Sequence, residues 1–292
     1  HYAYLKISEG CNWKCGYCAI PLIRGGHVSV PMEELEEEAR KLAGQGVREL
    51  MVIAQDTTYY GIDLYGRRML AELLRRLCRI DGIEWIRLHY AYPAGFPDEV
   101  IEAMASEPKI CKYLDIPFQH ISDAQLASMH RRHTKAEAME LIGRLRGAIP
   151  DLALRTTLLV GYPGETEADF RTTYDFLAGL EPAFLHIFPF SERPGTPAVD
   201  LPGKVPPSVA TQRVAELEGL CERLHGAFCA RAEGTEDTVL FESTRRDGMM
   251  FGFTGSYRRV KVPYDRSKVN AVCRVKLGAM DETHDLLGEI LD

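Results

Sequence analysis

Along the first two thirds of the chain, apolar residues fall into short unbroken runs. Longer stretches separate them, in which apolar residues recur every three or four positions. The run Leu50-Met51-Val52-Ile53-Ala54 is typical of the first kind, and such runs suit parallel strands covered on one or both faces. The pattern predicts strands over 2–8, 49–56, 83–91, 113–118, 154–162 and 184–190. Helices are predicted between them. Over 31–44, Leu35, Ala39 and Leu42 share one helical face and Pro31 suits the first turn. Thr166-Glu167-Ala168-Asp169 reads as a near-capping box opening another helix. Six βα units with right-handed crossovers give an α/β fold, either a partial barrel or an open doubly wound sheet. Both place ligands at the carboxyl ends of the strands, so chemistry is expected just after Ser8, Asp56, Ala91, Phe118, Tyr162 and Phe190.

Beyond Phe190 the pattern changes. A proline-rich connector, 191–207, leads into a helix of about 208–232. Short strands follow, predicted at 238–244, 249–255, 258–264, 271–277 and 284–291, and read as a small antiparallel five-stranded barrel. The chain is thus expected to divide at 1–207, 208–232 and 233–292.

The chain has 292 residues, 46% hydrophobic and 26% charged, which is ample for a large core and excludes wholesale disorder. It opens on His1 inside a strand-like run and so reads as a fragment. No apolar run approaches the ~18 residues that cross a bilayer. A net charge of −7 argues against a general nucleic-acid coat, although not against a local basic patch. Residues 245–276 carry nine Arg/Lys against two Asp, whereas 277–292 carry five acidic groups and no basic ones. Separate faces would suit contact with RNA phosphates; interleaved charges would be a mixed solvated surface.

The strongest chemical signal is Cys11-Asn12-Trp13-Lys14-Cys15-Gly16-Tyr17-Cys18, at the end of the first strand. A tetrahedral zinc site needs a fourth ligand, for which His27 or a more distant residue would have to serve. A cubane iron–sulfur cluster takes one ligand per iron, so three thiolates leave one iron open for catalysis. The remaining cysteines, Cys78, Cys111, Cys221, Cys229 and Cys273, are far apart and expected to pack as small hydrophobes.

Cys11, Cys15, Tyr17 and Cys18 match position for position the C-x-x-x-C-x-Φ-C signature of the radical S-adenosylmethionine (SAM) superfamily, which the chain therefore resembles. Gln55-Asp56-Thr57-Thr58, Gln119-His120-Ile121-Ser122-Asp123, Met129-His130-Arg131-Arg132-His133-Thr134, Gly161-Tyr162-Pro163-Gly164-Glu165-Thr166 and Ser191-Glu192-Arg193-Pro194-Gly195-Thr196-Pro197 narrow the resemblance to its methylthiotransferases. The terminal barrel is similar to the TRAM domain of those enzymes. The first two motifs, and Thr157 where tRNA enzymes carry aspartate, resemble the ribosomal protein S12 (aspartate) branch. The resemblance implies a partial (β/α)6 barrel with Cys11, Cys15 and Cys18 on a [4Fe-4S] cluster whose open iron chelates SAM. Reductive cleavage of SAM gives a deoxyadenosyl radical, no protein residue beyond the cluster being assigned to catalysis. It further implies Gln55 and Asp56 at the SAM ammonium, and Gln119 and Arg131 at ribose or carboxylate. Thr157 and the Gly161 turn complete the cradle, with Tyr17 and Phe190 against adenine. The plainer alternatives are capping for Gln55 and Asp56, surface hydrogen bonding for Gln119 and Arg131, and core packing for Tyr17 and Phe190. His89, His120 and His186 are expected to pack or hydrogen-bond. The implied setting is cytoplasmic, with no membrane, a flavodoxin or ferredoxin as electron donor, and S12 or the small ribosomal subunit as partner. A second [4Fe-4S] cluster is expected only in a preceding domain that this chain lacks. The alternatives are a tRNA methylthiotransferase and a zinc-containing RNA-binding module without catalysis.

Overall fold

A computed structural model describes residues 1–291. Six parallel strands build the main sheet: β1 (Tyr2–Lys6), β4 (Glu49–Ile53), β5 (Trp85–Leu88), β6 (Ile110–Asp115), β7 (Ala153–Val160) and β8 (Phe184–Pro189). They lie side by side in chain order, and β1 does not pair with β8, so the sheet is open. Helices α2 (Met32–Gly44), α4 (Leu70–Cys78), α5 (Asp98–Ser106), α7 (Lys135–Ala148) and α8 (Glu167–Leu180) make the crossovers. Their apolar stripes bury Leu35, Leu73, Leu77, Val100 and Leu141 against Leu5, Leu50, Val52, Leu88 and Leu114 of the strands. Thr134 and Thr166 open α7 and α8 with full capping boxes, answered by Glu137 and Asp169. The acidic face of α2 is mostly solvated, with Glu36 drawn between Arg40 and Arg76.

Several strands stop short of their predicted ends, where the chain turns into the loops and short elements of the rim. Smaller elements crowd the upper rim: the paired β2 (Ser8–Glu9) and β3 (Val28–Ser29), then α1 (Ile20–Arg24), α3 (Ile62–Tyr65) and α6 (Asp123–Ser128). Two-residue strands and single helical turns carry too few residues for a periodic signal, and the sequence pattern misses them.

Helix α9 (Pro207–Ala230) crosses to a closed five-stranded barrel of β9 (Glu236–Arg246), β10 (Met249–Thr254), β11 (Arg259–Pro263), β12 (Val272–Met280) and β13 (Leu286–Ile290). The order is β10-β11-β13-β12-β9. The expectation of an antiparallel barrel needs one correction: β11 and β13 pair in parallel, Val260 opposite Leu286, because β12 intervenes in the chain. Acidic and basic segments also interleave. Lys261 meets Asp281, Arg259 lies 3.5 Å from Asp285, and Arg274 lies 2.8 Å from Glu236. Of the nine basic side chains of 245–276, Arg259, Lys261 and Arg274 are paired with carboxylates in this way.

The small barrel is docked under the main sheet. In the β10–β11 turn, Tyr257 takes a left-handed backbone (φ 69°) and inserts its ring beneath the strands. It packs edge-on at 4.8 Å from Tyr113, and its hydroxyl reaches Met51. Arg87, fully buried, lies over the Tyr257 ring at 3.7 Å. It pairs with Glu49 at 2.5 Å and donates to the carbonyls of Gly255 (2.7 Å) and Thr254 (3.3 Å). Cys111, beside this pair, has its thiol pushed up to about 12 by burial.

Candidate active site at the carboxyl ends of the sheet

The cysteine segment leaves β2 through Gly10. Its φ is 77°, and a Cβ there would stand 2.1 Å from the Gly26 carbonyl oxygen, so only glycine lets the two backbones cross. The loop is then pinned along its length. Cys11 N–H donates to Gly25 (3.1 Å), Gly16 N–H to Met129 (2.9 Å), and Gly16 accepts from Ala198 (2.9 Å). Trp13 stacks on Tyr92 at 4.1 Å and donates its indole N–H to Asp56 at 2.7 Å.

Cys11, Cys15 and Cys18 all face one cavity of about 770 Å³ above the strand ends. Burial pushes the Cys11 thiol up to about 11 and raises that of Cys18. Arg131 is buried beside them. Its Nη1 lies 3.8 Å from Cys15 Sγ and 3.5 Å from the Tyr17 hydroxyl, Nη2 donates to Pro117, and the guanidinium covers Tyr92 at 4.2 Å. Among the described residues no three His, Cys, Asp or Glu side chains converge on a single ion. Three thiolates along one wall suit a cluster in which each holds its own iron.

Tyr17, Gln55, Gln119, Arg131 and Thr157 share this cavity with the cysteines. Gln119 is zipped to β7 in a left-handed conformation, its N–H on Thr157 and its carbonyl accepting from Leu159, both at 2.8 Å. The polar lining is incompletely satisfied: Gln55 Oε1, Asp115 Oδ1, Arg131 Nε and Arg155 Nε are buried without a protein partner. Of these, the Gln55 acceptor and the Arg131 donor stand with the cysteines and fit a polar ligand with both kinds of group, as SAM has.

Three predicted residues stand elsewhere. Asp56 does not line the cavity: besides Trp13, its carboxylate accepts from Thr58 N–H (2.9 Å) and hydroxyl (2.7 Å), capping the next turn, so none of it faces the cavity. Gly161 is also set back. Its φ is 78° and a Cβ would lie 2.9 Å from Ala210 of α9, while its N–H donates to Glu165. That glycine serves helix packing. Phe190 packs edge-on against Tyr162 at 5.3 Å, in a small cluster with Met129 and Ala198 behind the cysteine loop. His120 hydrogen-bonds Glu165, as a packing histidine would.

The sequence motifs include Asp115 and Arg155, and His186 hydrogen-bonds as expected, but sequence reasoning assigns none of the three to the site, whose inner wall they form. Register places Asp115 beside Arg155 and Thr157 beside His186, alternate inward positions of β6, β7 and β8. The available signal was charge within otherwise apolar strands. His186 bonds Arg155 at 2.7 Å and stays deprotonated more readily than usual, through burial and then that guanidinium.

The sequence matches the radical SAM superfamily over residues 5–177. It is 54% identical over 217 residues to the ribosomal protein uS12 methylthiotransferase RimO of Flavobacterium johnsoniae, covering 74% of this chain and 50% of that protein. It is 42% identical to RimO of Phocaeicola vulgatus, covering 100% of this chain and 69% of that one. The chain spans about half the length of several curated relatives it matches. Among solved structures, coproporphyrinogen III oxidase (HemN) from Escherichia coli aligns with a TM-score of 0.55 at 13% identity, over 95% of this chain and 66% of that one. The radical SAM methyltransferase TsrM from Kitasatospora setae aligns at 0.57 and 15%, over 86% and 42%. These two likenesses speak for the fold alone. Sequence match, open six-stranded sheet and cysteine wall agree: the chain belongs to the radical SAM superfamily and, within it, to the RimO family of methylthiotransferases.

Proposed function

We propose that this chain is the radical-generating part of an enzyme that methylthiolates the β-carbon of an aspartate in ribosomal protein S12. The observation that carries the reading is a single cavity walled by Cys11, Cys15 and Cys18 and edged by buried, unpartnered polar atoms. The three cysteines would hold a [4Fe-4S] cluster. Gln55, Gln119, Arg131 and Thr157 would cradle SAM, with Tyr17 beside it. Cluster and SAM together supply a carbon-centred radical able to abstract hydrogen. The protein's own work is to orient and to exclude water. Arg131 sets a buried positive charge 3.8 Å from the Cys15 sulfur, against the wall that would carry the cluster. Trp13 and Tyr92 stiffen the wall that carries the sulfurs.

An electron donor of the flavodoxin or ferredoxin kind and the S12 protein are the partners this reading requires. Residues 1–207 would make the radical SAM unit, 208–232 the connecting helix and 233–292 a TRAM-like barrel. The similarity to ribosomal protein uS12 methylthiotransferases supports a protein substrate over tRNA, and the pairing of Arg259, Lys261 and Arg274 with carboxylates lowers the charge that barrel offers to phosphates.

Anaerobic reconstitution with iron and sulfide tests the proposal. The wild-type chain should turn brown and cleave SAM under reduction. Cys15→Ala should abolish both properties, and Cys78→Ala should leave both intact. A colourless zinc protein that never cleaves SAM would remove the enzymatic reading. With the full-length enzyme, label transferred to tRNA and not to S12 would overturn the substrate.

A further inference from the structure

The cavity has two chemically different ends. At the cysteine wall, Arg131 is occupied by Cys15, Tyr17 and Pro117. At the rim, Lys6 is paired with Glu9, and Arg24 lies 3.9 Å from the same carboxylate. The inner wall presents a further cation, Arg155, on β7. Thr157 follows it by two residues on the same face, so Arg155 sits about 7 Å deeper in the sheet than the Thr157 level, at ~3.3 Å per residue.

Arg155 is held but not used up. Its Nη2 donates to a ring nitrogen of His186 at 2.7 Å, and Nη1 lies 3.4 Å from the Tyr113 hydroxyl. Asp115 lies 3.8 Å from Nη1, within ion-pair distance and beyond hydrogen-bond distance. Arg155 Nε has no protein partner, nor has Asp115 Oδ1. His186 and Tyr113 orient the guanidinium, Asp115 lies within ion-pair distance, and the Nε–H is left without a protein partner. A guanidinium that keeps one N–H unpaired on the inner wall of this cavity can donate it to a carboxylate of a bound molecule.

We infer that Arg155 is the specificity residue that docks the side-chain carboxylate of the substrate aspartate, holding the adjacent β-carbon toward the cysteine wall. The inference rests on the proposed aspartate substrate. His186 and Tyr113 act as positioning residues, fixing the plane of the fork. Asparagine at the substrate position would lose the charge that draws the carboxylate to the guanidinium and would leave the Nε–H a weaker, neutral acceptor.

The test compares binding and turnover of isolated S12 with those of S12 carrying asparagine at the target position, using the reconstituted full-length enzyme. Wild type should favour the aspartate form at least tenfold. Arg155→Met should reduce that preference to about onefold, raising the KM for the aspartate form while cluster absorbance and SAM binding stay unchanged. Arg155→Lys should restore part of the preference, because the charge returns without the fork; this guards against a folding defect in the methionine variant. Wild-type enzyme indifferent to the two S12 forms would overturn both the substrate reading and the inference. A wild-type preference that survives in Arg155→Met, or an Arg155→Met variant that loses SAM binding instead, would overturn the inference alone.

Discussion

Replacing Arg87 by methionine perturbs the joint between the two β units at its most buried point. Arg87 has no exposed surface, and its partner Glu49 has only 4% exposure. Removing the guanidinium strands the Glu49 carboxylate in the core and deprives the Gly255 and Thr254 carbonyls of their donor. Breaking one side of a buried ion pair costs about 3–5 kcal/mol, the stranded charge being most of it. At roughly 2–4 °C per kcal/mol for a chain of this size class, the midpoint should fall by about 6–20 °C. Arg87→Met/Glu49→Leu should recover part of the loss, since no charge is then left unpaired. Urea unfolding followed by far-ultraviolet circular dichroism gives the overall stability. Trp85, whose ring lies 5.9 Å from Arg87, gives a local fluorescence signal. Because Arg87 joins main sheet to small barrel, the single variant should also split one transition into two. A cost below about 1 kcal/mol, the size of an average substitution, would refute the reasoning. So would a double variant no more stable than the single one.

Gly10→Ala should prevent cluster assembly, because its Cβ would meet the Gly26 carbonyl and push the cysteine segment off the strand ends; normal iron content and visible absorbance in the variant would contradict this. His133 is buried without a hydrogen-bond partner, and burial, then Arg131, holds it down to about 3. An unfolded histidine titrates near ~6.5. Between those values the unfolded chain takes a proton that the folded chain refuses, so stability falls as pH drops through this window. At pH 5 this amounts to about 2 kcal/mol. His133→Leu should shrink the difference in urea midpoint between pH 7 and pH 5, and an unchanged difference would count against it.

The parts legible in the sequence were those with a local or periodic cause. Each strand of the main sheet begins and ends within a few residues of its apolar run, and the Thr166 capping box is where its spacing puts it. The cysteine triplet carries its own spacing, and Tyr17, Gln55, Gln119, Arg131 and Thr157 do reach the same cavity. What failed was orientation. Asp56 follows an apolar strand just as Gln55 does, yet alternation turns it away to cap a turn and hold Trp13. Gly161 is required by Ala210, a contact 49 residues away along the chain that no local pattern encodes. Arg155 and Asp115 meet only through strand register. Tyr257 reads as one more turn aromatic until the barrel that carries it is docked beneath Arg87.

The unpaired edges of β1 and β8 also decide what size of molecule this cavity can serve. Lys6 and Glu9 border it from one side, His186 and Phe188 from the other, and no strand joins them. If the sheet's curvature continued to the eight strands of a closed barrel, three inter-strand gaps would remain, an aperture of about 14 Å at ~4.8 Å each. A closed barrel admits only what can pass through its mouth, so its reactants must be small and free. For the proposed protein substrate, an aperture of this width would let a loop of polypeptide enter sideways. One side chain can then be threaded to the interior while the bulk of its parent macromolecule stays outside.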